Sequence, residues 1–550
     1  MSEELKEFIV TTKEYSALDS LYEKMESNGG TDTIPNRKVD VVHRREISRN
    51  THYLLTETEA EKLSKDPDIL SVTPKRDPSI VKIRPLWIQT SSNWDHSSCW
   101  DSNGSAQSRN WGLVDASQSS SERVIWNGLR TDTISNSSEG RNVDVVISDG
   151  MVNPNHPEFA VNEDGTGGSR VVQYNWLQHR SVVQGIANGT YVYTPYIDST
   201  NAGRTSDNTH GNHVAGTVAG NRQGWARRAN IYNINPYSTD INGIDDAFHF
   251  DYIRQFHRNK PINPNTGRRN PTIVNASWGY GATIRRSLIN RIIYNGTTFN
   301  GPFTSWDEFA FRDVNGQGYF DANNVFQVGF LWREAPIDTD IHDAINDGII
   351  IIGAAGNETS HMDIDGGASW DNRVIFNNSS ETLFINRGST PGSASTVISV
   401  GSHDGDLKSY FSNYGPRINI WSPGNDIMSP VLEGGCSWAD SRNSSHKIGK
   451  LSGTSMASPQ VCGILACTLE RYPHLNQTSI LKYINEKLSQ PEAVYDSPTE
   501  YYYKLDGAPN IRIYNFQHKK NNGAVTPVTN YGLRSDVSAK YPRLNKRKRV

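Results

Sequence analysis

IIIIGAA, residues 349–355, is a near-continuous apolar run of strand length that ends in small residues. Four further runs resemble it: VDVVI (143–147), ANIYNI (229–234), TIVNAS (272–277) and VISVGS (397–402). A strand with one wet face alternates apolar and polar residues. Strands apolar on both faces, separated by helical stretches, describe a parallel sheet covered on both sides. The fold expected over residues 111–490 is therefore α/β around a parallel sheet.

The flanking regions read differently. Within residues 1–80, FIVTT (8–12), VDVVH (39–43), THYLLT (51–56) and ILSVTP (69–74) have strand character. EYSALDSLYEKMES (14–27) and ETEAEKLSKDPD (57–68) have helical spacing, with Thr56 placed to cap the second. The order β-α-β-β-α-β predicts a small ferredoxin-like α+β domain. Residues 81–110, rich in Ser, Asn and Trp, read as a connector, and Trp87, Trp94, Trp100 and Trp111 as packing residues. The stretch 280–340 is expected to be an inserted loop, and 491–550 a polar, Tyr-rich C-terminal extension. At 550 residues, the chain exceeds what one compact core normally holds.

Composition excludes several classes. A formal net charge of -4 is too small for the whole molecule to steer nucleic acid, and only the tail Lys546-Arg547-Lys548-Arg549 is strongly basic. No apolar run approaches the ~18 residues of a membrane span. The opening MSEELKEFIV has acidic residues where an export signal carries basic ones, which predicts an intracellular or virion-borne protein. The four cysteines lack zinc-ligand spacing, and no cofactor is called for. Asp313, Asn315 and Asp321 faintly suggest a calcium loop, but the spacing misses the twelve-residue pattern and the closing Glu is absent.

Three glycine-flanked segments offer chemistry. VDVVISDGMVNPNHPEF (143–159) is a strand ending in Asp149; HGNHVAGTVAG (210–220) places His210 on a helix of small residues; SGTSMASPQVCGILACTLERY (452–472) places Ser455 at a helix start. A serine hydroxyl becomes a useful nucleophile when an imidazole takes its proton and a carboxylate holds that imidazole in the right tautomer. A helix N-terminus adds a local field that favours developing negative charge. Asp144 and Asp207 are alternatives for the carboxylate, and His156, before a proline, is expected at the surface.

Together these segments resemble the signature regions of the subtilisin-like serine proteases, in that family's order Asp, His, Ser. VNASWG (274–279), GAAGNE (353–358) and SYFSNYGPRINIWSPG (409–424) extend the resemblance. It implies a serine endopeptidase in which Ser455 is nucleophile, His210 general base and Asp149 the orienting carboxylate. Asn357 and the Ser455 N–H would form the oxyanion hole. Ser277, Trp278 and Gly279 would line the substrate cleft, with Trp278 walling the primary pocket and Glu358 facing it. EAEKLSKDPDILSVTPKRD (59–77) resembles the end of a subtilisin propeptide, which makes the N-terminal unit an expected partner beside polypeptide substrates. Two departures stand out: Asp149-Gly150-Met151 replaces the family's Asp-Ser/Thr-Gly, and Asn212 replaces a threonine. The first motivates a second reading, a catalytically impaired scaffold or virion structural protein.

Overall fold

A computed structural model describes residues 3–86, 105–118, 134–191, 205–237, 244–303, 326–376, 382–432 and 437–515, apart from 31–33, 35, 36, 79, 106, 492, 493 and 497–502, with 319–320 and 518–520. Trp87, Trp94, Trp100, Asp313, Asn315, Asp321 and the basic tail lie outside the described residues.

The central sheet runs, in spatial order, through Ser489–Pro491, Ile511–Ile513, Ile420–Pro423, Ile398–Asp404, Ile350–Ala354, Thr272–Ala276, Asp144–Ser148, Asn230–Ile234 and Val171–Val172. Its pairings along this path are parallel except that of Ser489–Pro491 with its neighbour. The apolar runs are buried for the reason their pattern gives. Val145 and Ile147 pack on one face beside Val214, Val218, Ile464 and Leu465, carried by the helices Thr205–Ala219 and Thr454–Arg471. Val146 and Val274 pack on the other with Phe250, Ile253 and Ile341, carried by the helices His249–Asn259 and Ala335–Asn346. With both faces dry, no alternation remains to be seen. The sheet continues past residue 490, because Ile513 is buried and Arg512 beneath it donates to the carbonyls of Asp115 and Gln118.

The N-terminal unit has the expected order, with antiparallel strands Val41–Arg44, Asn50–Leu55, Lys6–Thr12 and Ile69–Pro74 side by side. Thr56 caps the helix Glu57–Leu63 through a reciprocal bond pair with Glu59. The stretch expected as an inserted loop contains regular structure. Trp278–Arg285 and Phe326–Trp332 pair as antiparallel strands, Ile289–Tyr294 and Thr297–Asn300 form a hairpin, and the segment's end opens the helix Ala335–Asn346.

Buried charge pairs join the N-terminal unit to the α/β body. The loop 45–50 enters between the helices His249–Asn259 and Ala335–Asn346. Arg45 is fully buried and lies 2.6 Å from both Asp251 and Asp340. Ser48 and Asn50 also donate to Asp340, and Arg49 pairs with Asp343 at 2.9 Å. From the opposite side Arg254 binds Asp251, Asp347 and the Tyr15 hydroxyl. Removing one partner from such a cluster strands the others without water. Arg45→Met is expected to lower stability by about 3 kcal/mol, read as a urea midpoint shift.

Candidate active site

All strands of a parallel run end on the same edge, where the loops to the next elements open. Asp149 directly follows Asp144–Ser148, Ser277 follows the adjacent Thr272–Ala276, and Asn357 lies just beyond Ile350–Ala354, the next strand over. Pairing alone therefore gathers a carboxylate, a backbone carbonyl and an amide.

Asp149 is fully buried. Its Oδ1 accepts from the Gly150 N–H at 2.7 Å and lies 2.8 Å from His210 Nδ1. A carboxylate acceptor keeps the proton on Nδ1 and turns Nε2 into the ring's basic end. Burial pushes the Asp149 carboxyl above its ordinary range, while His210 and the Gly150 N–H pull it back. Strand alternation sends Ser148 the opposite way, where its Oγ accepts from Trp278 Nε1 and meets His249 Nε2, each at 2.8 Å. Asp144, at the far end of the strand, is held by Lys260 at 2.8 Å. The side chain of Asp207 lies outside the described residues.

One departure has a local use. Asn212 Oδ1 accepts from the Asn153 N–H and its Nδ2 donates to Met151 O, tying the loop after Asp149 to the helix carrying His210. Gly211 faces Gly150 so closely that an added Cβ would sit 2.2 Å from Gly150 O. Asn233, which no motif marked, spreads its Nδ2 over the carbonyls of Ile147, Asp149 and Gly150 at 3.1–3.2 Å and clamps the turn.

Ser455 sits in the first turn of Thr454–Arg471, a helix that packs against Thr205–Ala219. Gly453 before it has φ 155°, outside the comfortable range of other residues. Pro459 lacks the N–H that would satisfy the Ser455 carbonyl one turn back. The Ser277 hydroxyl donates to that carbonyl instead, at 3.1 Å. Asn357 is 4% exposed, and its Oδ1 accepts from both the N–H and hydroxyl of Thr454. Its Nδ2 is thereby turned away from Thr454 and has no hydrogen-bond partner among the described residues.

The cleft beside these groups holds the chain's own residues 81–86. Val81–Pro85, expected as the start of a connector, pairs antiparallel with Trp278–Ala282. Leu86 N–H donates to Ser277 O at 3.0 Å, and Leu86 O accepts from the Ser455 N–H at 3.1 Å. The Leu86 side chain is 2% exposed, and a Cβ at Gly279 would lie 3.4 Å from its Cδ1. The Ser455 hydroxyl donates to Ser277 O at 2.9 Å.

Residues 140–509 match the subtilase family, more than half of the chain. The chain belongs to the subtilase family. A subtilisin-like protease of Coccidioides posadasii (strain C735) is 27% identical over 267 residues, 48% of this subtilase and 38% of the relative. The extracellular serine proteinase of Thermus sp. (strain Rt41A) is 24% identical over 301 residues, 54% of this chain and 48% of the other. The chain thus spans less than half the length of either relative. Among solved structures, the epidermin leader peptide processing serine protease of Staphylococcus aureus aligns at 14% identity and TM-score 0.46, over 92% of this chain and 98% of that one.

Within this subtilase the structure brings Asp149 and His210 into contact, sets Ser455, Ser277 and Gly279 around Leu86, and bonds Asn357 to Thr454 beside Ser455. Three expectations are corrected. The Trp278 indole does not wall a pocket: it lies in the core against His249, Phe250 and Tyr280, so only its backbone faces the cleft. Glu358 reaches Arg84 at 2.6 Å, two residues before Leu86, so it does not serve a primary pocket around Leu86. His156 is buried, its Nε2 2.9 Å from Lys447 O, because the Glu158 N–H needs its Nδ1 as a cap. Among the described residues no group of three or more His, Cys, Asp or Glu is placed to hold a metal, and no helix is long and apolar enough to cross a membrane. Gly211→Ala drives a methyl into Gly150 O and should displace His210 from Asp149. Its Ser455 is expected to react about 100-fold more slowly with a fluorophosphonate, and the overpacking is expected to lower stability by about 1–3 kcal/mol.

Proposed function

We propose that this chain is a serine endopeptidase and that residues 81–86 occupy its cleft as a cognate segment, with Leu86–Trp87 as the bond it cuts in itself. One observation carries this reading: a chain segment lies in β-register with Trp278–Ala282, and its final carbonyl oxygen accepts from the Ser455 N–H. A peptide held that way presents its carbonyl carbon to Ser455 Oγ.

In this reading the steps are these. Ser455 rotates about χ1, exchanging its bond to Ser277 O for one to His210 Nε2. Its Oγ adds to the Leu86 carbonyl carbon as the proton passes to Nε2. The Leu86 oxygen becomes an anion that the Ser455 N–H, already bonded to it, stabilises together with Asn357 Nδ2, which in this reading swings to it as charge develops. Asp149 stabilises the imidazolium and keeps its own proton-free state. Collapse breaks the C–N bond, and His210 gives its proton to the Trp87 nitrogen. Water, deprotonated by His210, then adds to the ester and releases Ser455.

A buried, pre-satisfied Asn357 Oδ1 makes the oxyanion donor a matter of orientation. Turning Nδ2 into the cleft requires Thr454, and Thr454 is fixed by the same helix start that fixes Ser455. The N-terminal unit, joined to the strand 81–85, serves in this reading as an inhibitory propeptide. Its residues fill the cleft until the bond after them is cut and they dissociate.

Mass spectrometry of the purified chain should find a new N-terminus at Trp87, and Ser455→Ala should stay whole and take no fluorophosphonate label. An unmutated, folded chain that neither cuts itself nor takes the label would defeat the proposal. Asn357→Ala should lower kcat by about 100- to 1,000-fold, measured on any peptide the processed enzyme cleaves.

A further inference from the structure

The cognate segment does more than lie in register. Arg84, third residue before the proposed cut, places its guanidinium 2.6 Å from Glu358 Oε1. The carboxylate that receives it is held without its help. Asn413, fully buried, donates Nδ2 to Glu358 Oε2 at 2.8 Å and accepts from the Glu358 N–H at 3.0 Å. Asn413 is itself anchored by donating to Ala355 O at 2.9 Å. One carboxylate oxygen is therefore satisfied by the protein and the other is aimed at the third residue of the bound strand. Two glycines leave the room. A Cβ at Gly356 would come within 2.6 Å of Glu358 Oε2, and a Cβ at Gly281 would stand 3.0 Å from the Arg84 Cζ. The guanidinium plane thus lies against bare backbone at Gly281, a seat suited to a flat delocalised cation.

The acid is well enclosed, with its side chain 14% exposed, while Arg84 is 41% exposed. A preset, half-buried anion facing an outer subsite rewards a cation there and repels an anion, whatever occupies the primary pocket. We propose that Glu358 is a specificity-determining residue that selects a basic side chain, arginine above all, at the third position before the cut bond. The substrate class is then an extended segment with arginine at that position and an aliphatic residue at the bond. This rests on the endopeptidase reading and narrows it.

The test uses the full chain after it has processed itself. Quenched peptides carrying Val-Lys-Ile-Arg-Pro-Leu-Trp, and the same with alanine or glutamate for the arginine, are compared by kcat/KM. The arginine peptide is expected to exceed the alanine peptide about fivefold, the size of a partly exposed ion pair, with the glutamate peptide slower still. In Glu358→Gln the ratio of arginine to alanine peptide should fall to near one. Equal rates on all three peptides with the unmutated enzyme would overturn the assignment and leave the endopeptidase reading standing, a result independent of whether any variant folds. An unchanged ratio in an active Glu358→Gln would overturn it too. A chain that cuts neither itself nor any peptide removes the endopeptidase reading and this assignment with it.

Discussion

Parallel hydrogen bonding between the strands Ile350–Ala354, Thr272–Ala276 and Asp144–Ser148 is the constraint on which the rest depends. Three segments far apart in the chain end side by side because their backbones run the same way. Antiparallel pairing would have sent one of the three polar groups to the opposite edge. The helices then complete the arrangement from one face, bringing His210 and Ser455 down to the same rim. The seating of the His210 helix depends on missing atoms as much as on contacts: a Cβ at Gly216 would meet Pro430, and one at Gly211 would meet Gly150.

Much of this was legible in the chain. The apolar runs predicted the sheet because burial on both faces erases alternation, and Thr56 announced its helix because a capping box is local chemistry. Asp149, His210 and Ser455 were readable from glycine-flanked contexts. What stayed hidden depends on distant partners. Nothing near Trp278 indicates that its indole turns to Ser148, and nothing near His156 indicates that Lys447 supplies a buried acceptor. Asn233 and Asn413 look like ordinary loop or strand residues until their neighbours are known. The segment 81–86 lacked periodicity for a related reason: a strand pairing along one edge, with only Val81 and Leu86 fully covered, has no face to repeat.

The junction between the N-terminal unit and the body follows another logic. Arg45, Arg49 and Arg76 reach out of one and Asp251, Asp340, Asp343 and Asp246 receive them from the other. Burial lowers the His52 pKa to about 4 and raises that of Glu334 to about 7, both at this seam. Such groups contribute modestly to affinity once desolvation is counted, but they demand a single relative placement. That placement delivers Val81–Pro85 to its partner strand in the right register.

An ionic seam also decides what separating the two bodies would leave exposed. An oily contact of the same size would expose a patch prone to clumping. Carboxylates and guanidinium groups instead regain their hydration shells, and each freed surface repels copies of itself.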